Sequence, residues 1–292
     1  MNEVLALTGR NIRRYFRDVG AILFSFLSVF IVAALYIFFL TDMQIESVRA
    51  TVGNLADIDS VIIAWVVGGL LCIPAVSVPL FLLCFKVDDV VDGVADDLLV
   101  SPAGRFKILL GYNISAWLVG LAMTLLTFGL CEVFIAVKGG ELLSMADAFR
   151  VMGVLGLMVL AFSGLFFLII LFMKKRSSVM VITSVLNTLL GFFLGLFVPV
   201  GILSENIASV IKAFPLLQGA SLVRQILMGA PLNALEQQTG AAAIGEIKSV
   251  YGVTIVLNEH LLTTSDIIMI LFGFAVLCYG ASYIFFARQK QH

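Results

Sequence analysis

Ionisable side chains are concentrated at two places in the sequence, and one carboxylate stands apart from them. Five aspartates and four arginines form the two groups, which are Asp88, Asp89, Asp92, Asp96 and Asp97, and Arg10, Arg13, Arg14 and Arg17. The isolated carboxylate is Glu132, the only ionised residue close to the interior of a long apolar run. Carboxylates and guanidinium groups form charge-assisted hydrogen bonds with partners of opposite charge. Both groups are therefore candidate binding surfaces.

The sequence offers no arrangement for catalysis. It lacks a GxxxxGK[ST] phosphate loop, and its two histidines, His260 and His292, are far apart with no ligand cluster around them. No nucleophile, base and acid combine into one site. We therefore expect no catalytic residue, no metal site and no cofactor bound by this chain. Energy for any work would come from another protein.

Composition predicts that the charged groups flank membrane-spanning helices. The 292 residues are 61% hydrophobic and 13% charged, whereas soluble domains have about 25% charged residues. About 20 apolar residues cross a hydrocarbon core of about 30 Å, and six uncharged runs reach that length. The spans predicted from these runs are about 20–41, 61–85, 107–131, 151–173, 178–200 and 266–287. The sequence therefore predicts an all-α integral membrane protein with six transmembrane helices.

Lysine and arginine predict the orientation, because both residue types are enriched in cytoplasmic segments. Most of the 18 basic residues lie in the N-terminal segment, between the second and third runs, between the fourth and fifth, and at the C-terminus. We therefore expect cytoplasmic N- and C-termini and an extracellular segment at 201–264. Pro215, Gly219, Gly229 and Pro231 interrupt that segment, which favours re-entrant or interfacial helices. A small folded outer domain is the alternative.

Residues 2–19 are predicted to form an amphipathic helix at the membrane surface. One face carries four apolar residues and the opposite side carries the four arginines; the apolar residues are Leu5, Ile12, Phe16 and Val19. Leu7 is an exception, because it lies among the arginines. Such a helix places its cations against anionic headgroups. It is either a lever that a cytoplasmic partner moves or an anchor that fixes topology.

The segment 86–106 is predicted to contain a short cytoplasmic helix with most of its five aspartates on one side. Its other side is an apolar stripe, formed by Val87, Val90, Val91, Val94 and Leu98. The helix either binds a protein partner or lies flat on the bilayer. Because anionic lipid would repel five aspartates, we favour a protein partner.

Two of the apolar runs carry small or polar residues at helical spacing. In the fifth run these are Thr183, Asn187, Gly191, Gly195 and Pro199, four residues apart. A GxxxG pair permits close helix approach, so this face serves either packing within one chain or a contact between subunits. In the second run, two prolines predict a kink or an unwound stretch, and Trp65 near the outer end is a candidate interface anchor.

Glu132 has two interpretations. An intramembrane carboxylate is often functional. However, Glu132 lies six residues before Lys138, near the membrane interface, where a carboxylate reaches water at little cost. The sequence leaves both interpretations open.

Several stretches resemble the permease subunit of an ABC-2 type transporter. Residues 97–105, DLLVSPAGR, resemble the family's LL-x-SP-x-x-R stretch before the third helix. Residues 197–200, 214–216 and 222–229 are similar to the end of helix five and to the family's P-L-x…R-x-x-L-x-G segment. The order of elements agrees, from the basic N-terminal helix to the long outer segment after the fifth run. One departure is the density of aspartates before the Leu-Leu pair.

The resemblance implies a type V exporter-like permease fold, with 1–292 as one transmembrane domain. It also implies a separate ATPase subunit that binds ATP and Mg, and a second permease copy or related subunit. The segment that contacts the ATPase would comprise Asp88, Asp89, Asp92, Asp96, Asp97, Leu98, Leu99, Ser101, Pro102 and Arg105. The four arginines would lie on the connecting helix beside it. Candidates for the pathway or the dimer seam are Trp65, Gly69, Cys72, Thr183, Asn187, Gly191 and Gly195.

These implications predict an exporter in the bacterial plasma membrane. A path lined by Thr183, Asn187 and aliphatic residues favours an amphipathic or lipophilic cargo, such as a drug, an antibiotic, or a haemolysin-like or pigment-like metabolite. Lipid is an expected neighbour and nucleic acid is not expected as a partner. The alternatives are export of cell-surface polysaccharide or ions in the same family, an ATPase-independent secondary transporter, and a membrane scaffold or assembly factor.

Overall fold

The computed structural model describes residues 2–36, 40–52, 58–101, 103–137, 142–257 and 259–289. Within these ranges the chain is almost entirely helical. The α-helices are α1 Asn2–Arg17, α2 Val19–Leu35, α3 Thr41–Val52, α4 Ile58–Val91, α5 Val94–Val100, α6 Arg105–Val137, α7 Met145–Leu171, α8 Arg176–Phe193, α9 Glu205–Ala213, α10 Pro215–Leu227, α11 Gly229–Thr239, α12 Ala241–Val250 and α13 Thr264–Gln289. Strand β1, Val256–Leu257, pairs antiparallel with β2, His260–Leu261.

Among the described residues, five helices are long and apolar enough to cross a membrane: α4, α6, α7, α8 and α13. They correspond to the second through sixth predicted spans. The first predicted span corresponds to α2, which has 17 described residues up to Leu35. Residues 37–39, which complete that run, lie outside the described residues. The all-α prediction is therefore confirmed.

Helix α4 is the centre of the bundle. Its most apolar segment is almost entirely buried, whereas α8 exposes most of its surface. Helices α6 and α7 pack along it, and α2, α8 and α10 also contact it. It continues as one helix through Pro74 and Pro79, so the chain is not unwound there. Pro79 fits against Gly120 of α6, where a Cβ would lie 2.7 Å from the proline Cγ.

The fifth span ends earlier than predicted, because a Schellman motif terminates α8 at Phe193. Gly195 adopts a left-handed conformation with φ 63°. The N–H of Leu196 donates to the carbonyl of Gly191 at 2.8 Å, and the N–H of Gly195 donates to Phe192 at 2.9 Å. These two bonds satisfy carbonyls that would otherwise lack partners at the helix end.

This ending corrects the four-residue pattern predicted for the fifth run. Thr183, Asn187 and Gly191 lie within α8, but Gly195 and Pro199 lie beyond its last residue. The five residues therefore do not share one helical face. The four-residue spacing assigned Gly195 to helix packing. Its left-handed backbone instead ends α8.

Helices α9 to α12 and the β1–β2 hairpin form the segment that the sequence placed outside. Helices α9 and α10 are bent by 81° relative to each other. Pro215 begins α10, where its missing N–H would have no partner in any case. The two helices together are apolar enough for a broken span or a re-entrant loop. The segment thus consists of a bent apolar helix pair followed by two further helices and a two-stranded hairpin.

Side-chain contacts define two ends of the bundle. Two contacts identify one of them, which we call the basic end. Lys107 Nζ lies 2.6 Å from Glu3 Oε2, and the rings of Phe172 and Phe285 are 4.2 Å apart. This end therefore contains α1, the start of α6, and the junctions of α7, α8 and α13. The opposite end, which we call the cap end, contains the segment from α9 to the hairpin.

Candidate functional site

A network of ion pairs at the basic end connects α1, α4 and α6. Asp89, near the end of α4, is 3% exposed and binds two arginines of α1. Arg14 Nη1 lies 2.8 Å from Asp89 Oδ1, and Arg10 Nη2 contacts Asp89 Oδ2. The hydroxyl of Tyr112 in α6 donates to the same carboxylate. Because a buried carboxylate is costly without partners, these contacts hold α1 against α4.

The same network extends to α8 through Arg176. Arg176 Nε lies 2.8 Å from Asp88 Oδ1, and its Nη2 lies 3.0 Å from Asp92 Oδ2. Arg14 Nη2 lies 3.6 Å from Asp88 Oδ2 and so joins the two halves. We call this set the charged cluster; it comprises Arg10, Arg14, Asp88, Asp89, Asp92, Tyr112 and Arg176.

The charged cluster corrects the prediction that the five aspartates belong to one short helix and that most of them lie on its free side. Gly93, with φ 77°, separates the end of α4 from α5 and divides the aspartates between two elements. The first three bind arginines of their own chain. Asp96 and Asp97 are exposed in the first turn of α5. Within the described residues, no cation pairs with either of them.

The rest of the predicted contact segment continues from α5 into α6. Ser101 closes α5, because its hydroxyl donates to the carbonyl of Leu98 at 2.6 Å. Val100 is 86% exposed beside it, and Arg105 is exposed at the start of α6. The side chain of Leu99 and all of Pro102 lie outside the described residues. The apolar side chain of Val100 and the unpaired carboxylates of Asp96 and Asp97 are thus exposed together on α5 at the basic end.

Helix α1 binds the bundle through a different face from the apolar stripe. Leu7, the exception in the predicted pattern, packs against α6. A Cβ added to Gly111 of α6 would lie 2.7 Å from the Cβ of Leu7. The amide of Asn11 donates to Ser115 Oγ at 3.3 Å. The stripe remains largely open, because Leu5 and Phe16 of α1 and Val19, the first residue of α2, are all exposed. The protein-facing side of α1 is therefore the one that carries Leu7, Thr8, Asn11 and Tyr15.

Two of the α1 arginines take no part in the charged cluster. Arg13 Nε donates to the carbonyl of Gly9 at 3.1 Å, one turn earlier on the same helix. Arg13 and Arg17 are both exposed, and neither pairs with a carboxylate within the described residues. The four arginines thus divide into two that bind Asp89 and two that remain open.

The N-terminal turn of α1 has its own contact with α6. Lys107 Nζ donates to Glu3 Oε2 at 2.6 Å, and this hydrogen bond lowers the pKa of the Glu3 carboxyl. A lowered pKa means that the contact stabilises docking above the ordinary carboxyl pKa. That stabilisation is lost as the pH falls through the lowered value.

The predicted seam on α8 is only partly a free surface. Asn187 is exposed, and its amide has no hydrogen-bond partner among the described residues. Thr183 is half-buried, with its Oγ1 3.9 Å from Cys84 Sγ of α4. Gly191 is covered by its own chain, since a Cβ there would lie 2.2 Å from the ring of Phe197. Both glycines of the pair are therefore buried within their own chain.

Arg224 of α10 is fully buried near the cap end. Its Nη2 donates to the carbonyl of Leu194 at 2.7 Å, and its Nη1 donates to Tyr251 at 3.4 Å. Its Cζ lies 5.4 Å from the centre of the Trp65 ring, a cation–π contact. Within the described residues no carboxylate pairs with it. Arg224 connects α10 to the C-terminus of α8 and to α4.

This arrangement also corrects the prediction for the second span. Trp65 is fully buried and donates its indole N–H to the Tyr251 carbonyl at 3.0 Å, so it is not an interface anchor. A Cβ on Gly69 would lie 2.4 Å from Leu196 Cδ2. Cys72 is fully buried as well. All three seam candidates of α4 are thus interior to one subunit.

Sequence comparison adds independent evidence for the family. The family model described as ABC-2 family transporter protein matches residues 91–284, about two thirds of the chain. The chain belongs to the ABC-2 transporter family. No curated protein and no solved structure matches the chain.

Family membership, together with the long apolar helices, identifies a multi-pass membrane protein and the permease subunit of an ABC transporter. The ABC-2 membrane domain has no nucleotide-binding site of its own, and the family implies a partner ATPase subunit in general. The resemblance drawn from the sequence is confirmed.

Two arginines of this ABC-2 permease were not assigned to a site from the sequence. Arg224 is the only charged residue between Lys212 and Glu236. An isolated charge in an apolar stretch indicates that the charged side chain is buried against polar groups. Arg176 gave no such signal, because it follows two lysines and is explained by topology alone. Only the fold brings it to the aspartates of α4.

Glu132 lies near the cap end of α6 and is half-buried. The backbone N–H of Leu143 donates to its Oε2 at 3.2 Å. The carboxylate therefore connects the end of α6 to the residues that precede α7. This backbone contact of Glu132 is not part of either interpretation drawn from the sequence.

Proposed function

We propose that this ABC-2 permease exports an amphipathic or lipophilic compound, with the basic end in the cytoplasm and a separate ATPase bound at α5. The observation that carries the proposal is the position of the charged cluster. It joins α1, α4 and α8 directly beside α5, whose two free aspartates face away from the protein.

The orientation is supported by the cations at the basic end. Lys174 and Lys175 are exposed between α7 and α8, and Arg105 is exposed at the start of α6. Exposed lysines and arginines close to transmembrane helices favour the cytoplasmic side. Both termini would then be cytoplasmic, and the cap end would be extracellular.

The proposed coupling begins at α5. ATP and Mg bound by the partner would close the ATPase pair, and the movement would displace α5 relative to the bundle. Because α5 follows α4 after Gly93, and Asp88 and Asp92 bind Arg176, displacement of α5 would be transmitted to α4 and α8 together. The α1 helix would follow through Asp89.

The cargo proposal rests on the composition of α8. Its exposed residues include five large apolar side chains, Met180, Val181, Val185, Leu189 and Phe192. Ser184, Asn187 and Thr188 place small polar groups among them. No exposed charge lies between Arg176 and the end of the helix. A surface of this kind suits an amphipathic compound, whereas a polyanionic polysaccharide would require cations or polar rails.

The site of ATPase binding is tested by charge reversal. Asp96→Lys with Asp97→Lys is expected to abolish co-purification of the ATPase, because two attractive contacts become repulsive. A matched control is Glu205→Lys with Glu246→Lys, which reverses two exposed carboxylates near the cap end. Membrane insertion should be unchanged in both. Normal co-purification of the Asp96 and Asp97 variant would contradict the assignment.

Transport in vesicles separates the proposal from its alternatives. Permease and ATPase together should accumulate an amphipathic dye only when ATP is supplied. Uphill transport by the permease alone would identify a secondary transporter. Transport of polysaccharide or ions but not of the dye would contradict the proposed cargo.

A further inference from the structure

The α1 helix has an open groove beside the point where the chain continues into α2. The groove is lined by Arg10, Arg13, Arg14, Arg17, Asp18 and Val19. Four guanidinium groups line the groove beside one carboxylate, and two of the four form no ion pair among the described residues, so the groove is cationic. Arg10 and Arg14 are already bound to Asp89. Arg13 and Arg17 are the two groups available to a ligand.

The ligand of such a groove is an anion with an apolar part. On a helix, residues three or four apart are neighbours, so Arg13 and Arg17 lie next to each other and Arg13 lies next to Phe16. Phe16 is 48% exposed and Val19 is 65% exposed. An exposed apolar stripe is unfavourable in water, whereas acyl chains would cover it.

We propose that Arg13 and Arg17 form a binding site for the headgroup of an anionic phospholipid, with Phe16 and Val19 against its acyl chains. A soluble phosphate would satisfy the arginines but leave the apolar stripe in water. A lipid satisfies both.

The site lies on the same helix as the charged cluster. One side of α1 would hold the lipid through Arg13 and Arg17, and the adjacent side holds Asp89 through Arg10 and Arg14. A bound lipid would therefore help to keep α1 in the position that the charged cluster requires. The assignment to the cytoplasmic leaflet rests on the proposed orientation, but binding itself does not.

The test is a titration of the purified permease, without the ATPase, followed by native mass spectrometry. Phosphatidylglycerol and phosphatidylcholine are the two probes. Each arginine close to an anionic surface strengthens binding about five-fold, so Arg13→Gln with Arg17→Gln is expected to weaken phosphatidylglycerol binding about 25-fold. Phosphatidylcholine binding should not change.

Two further variants make the result specific. Arg13→Lys with Arg17→Lys retains the charge and should retain most of the binding. Lys174→Gln with Lys175→Gln removes two exposed cations from the same end and should leave binding as in the wild type.

Three outcomes would overturn the proposal. These are unchanged phosphatidylglycerol binding by the glutamine variant at Arg13 and Arg17, an equal loss in the lysine-loop control, and binding of inorganic phosphate as strong as that of the lipid. The last outcome would indicate a soluble phosphate site. Because no ATPase or cargo is present, a failure here is distinct from a failure of the export proposal.

Discussion

Asp89 is the residue on which the charged cluster depends, because it accepts hydrogen bonds from three side chains. Its substitution by asparagine keeps the size but removes the charge that pairs with Arg10 and Arg14. Hydrogen bonds to charged groups contribute about 1.5–3 kcal/mol, and the two arginines are partly exposed and will be rehydrated. We expect Asp89→Asn to lower the free energy of unfolding by about 2 kcal/mol, measured as a lower melting temperature in nanodiscs.

The control is Asp97→Asn, because Asp97 is exposed on α5 and pairs with no described cation. Its melting temperature should equal that of the wild type. Equal effects of the two substitutions would contradict the structural role of Asp89. ATPase binding should show the reverse order, since only Asp97 lies on the proposed contact surface.

At the scale of elements, the docking of α1 on α6 depends on a glycine. A Cβ on Gly111 would lie 2.7 Å from Leu7 Cβ, too close for the two helices to keep their positions. We therefore expect Gly111→Ala to displace α1, which would be measured as faster amide hydrogen exchange across residues 2–17. The pairing of Arg10 and Arg14 with Asp89 would weaken as a consequence.

Gly129 provides a matched control on the same helix, because a Cβ there would meet nothing within 4 Å. Alanine has a higher helix propensity than glycine by about 1 kcal/mol, so Gly129→Ala should stabilise α6 or leave it unchanged. Exchange across α1 should remain as in the wild type. Slow exchange in the Gly111 variant would show that α1 does not depend on this contact.

The elements also show which parts of the fold the sequence could predict. Long uncharged runs determine α4, α6, α7, α8 and α13, because a span requires length and low charge and little else. The sequence predicts that α8 continues beyond its observed end at Phe193. The reason is that Gly195 is equally consistent with close helix packing and with a left-handed residue that terminates a helix. Helical periodicity distinguishes faces, but it does not show which face meets the protein and which meets lipid.

The whole molecule explains the remaining differences in the candidate site. The aspartates between 88 and 97 look alike in the sequence, and only the fold brings Arg176 to Asp88 and Asp92. Contacts between residues far apart in the chain carry no local signal. For the same reason, Arg224 could be recognised as an isolated charge but its partners could not be predicted.

At this scale the exposed faces of α8 and α13 differ in polarity, and this difference predicts where a second permease copy would bind. The exposed face of α13 is apolar, with Met269, Phe272, Val276 and Leu277, and suits contact with lipid. The exposed face of α8 carries Asn187, whose amide has no described partner, and a polar group facing lipid is unfavourable. We therefore expect α8 and not α13 to meet a second permease copy or the cargo path.

Two valines of nearly equal exposure test this expectation. Val185 on α8 is 51% exposed, and Val276 on α13 is 54% exposed. Val185→Trp is expected to reduce the dimeric fraction or to block export, because the larger ring occupies space needed by the neighbouring helix or the cargo. Val276→Trp should have neither effect, since lipid chains rearrange around the ring. Mass measurement in nanodiscs and the dye transport assay would detect both changes. If Val276→Trp is the more harmful substitution, the second subunit meets α13 instead, and the polar group on α8 requires another explanation.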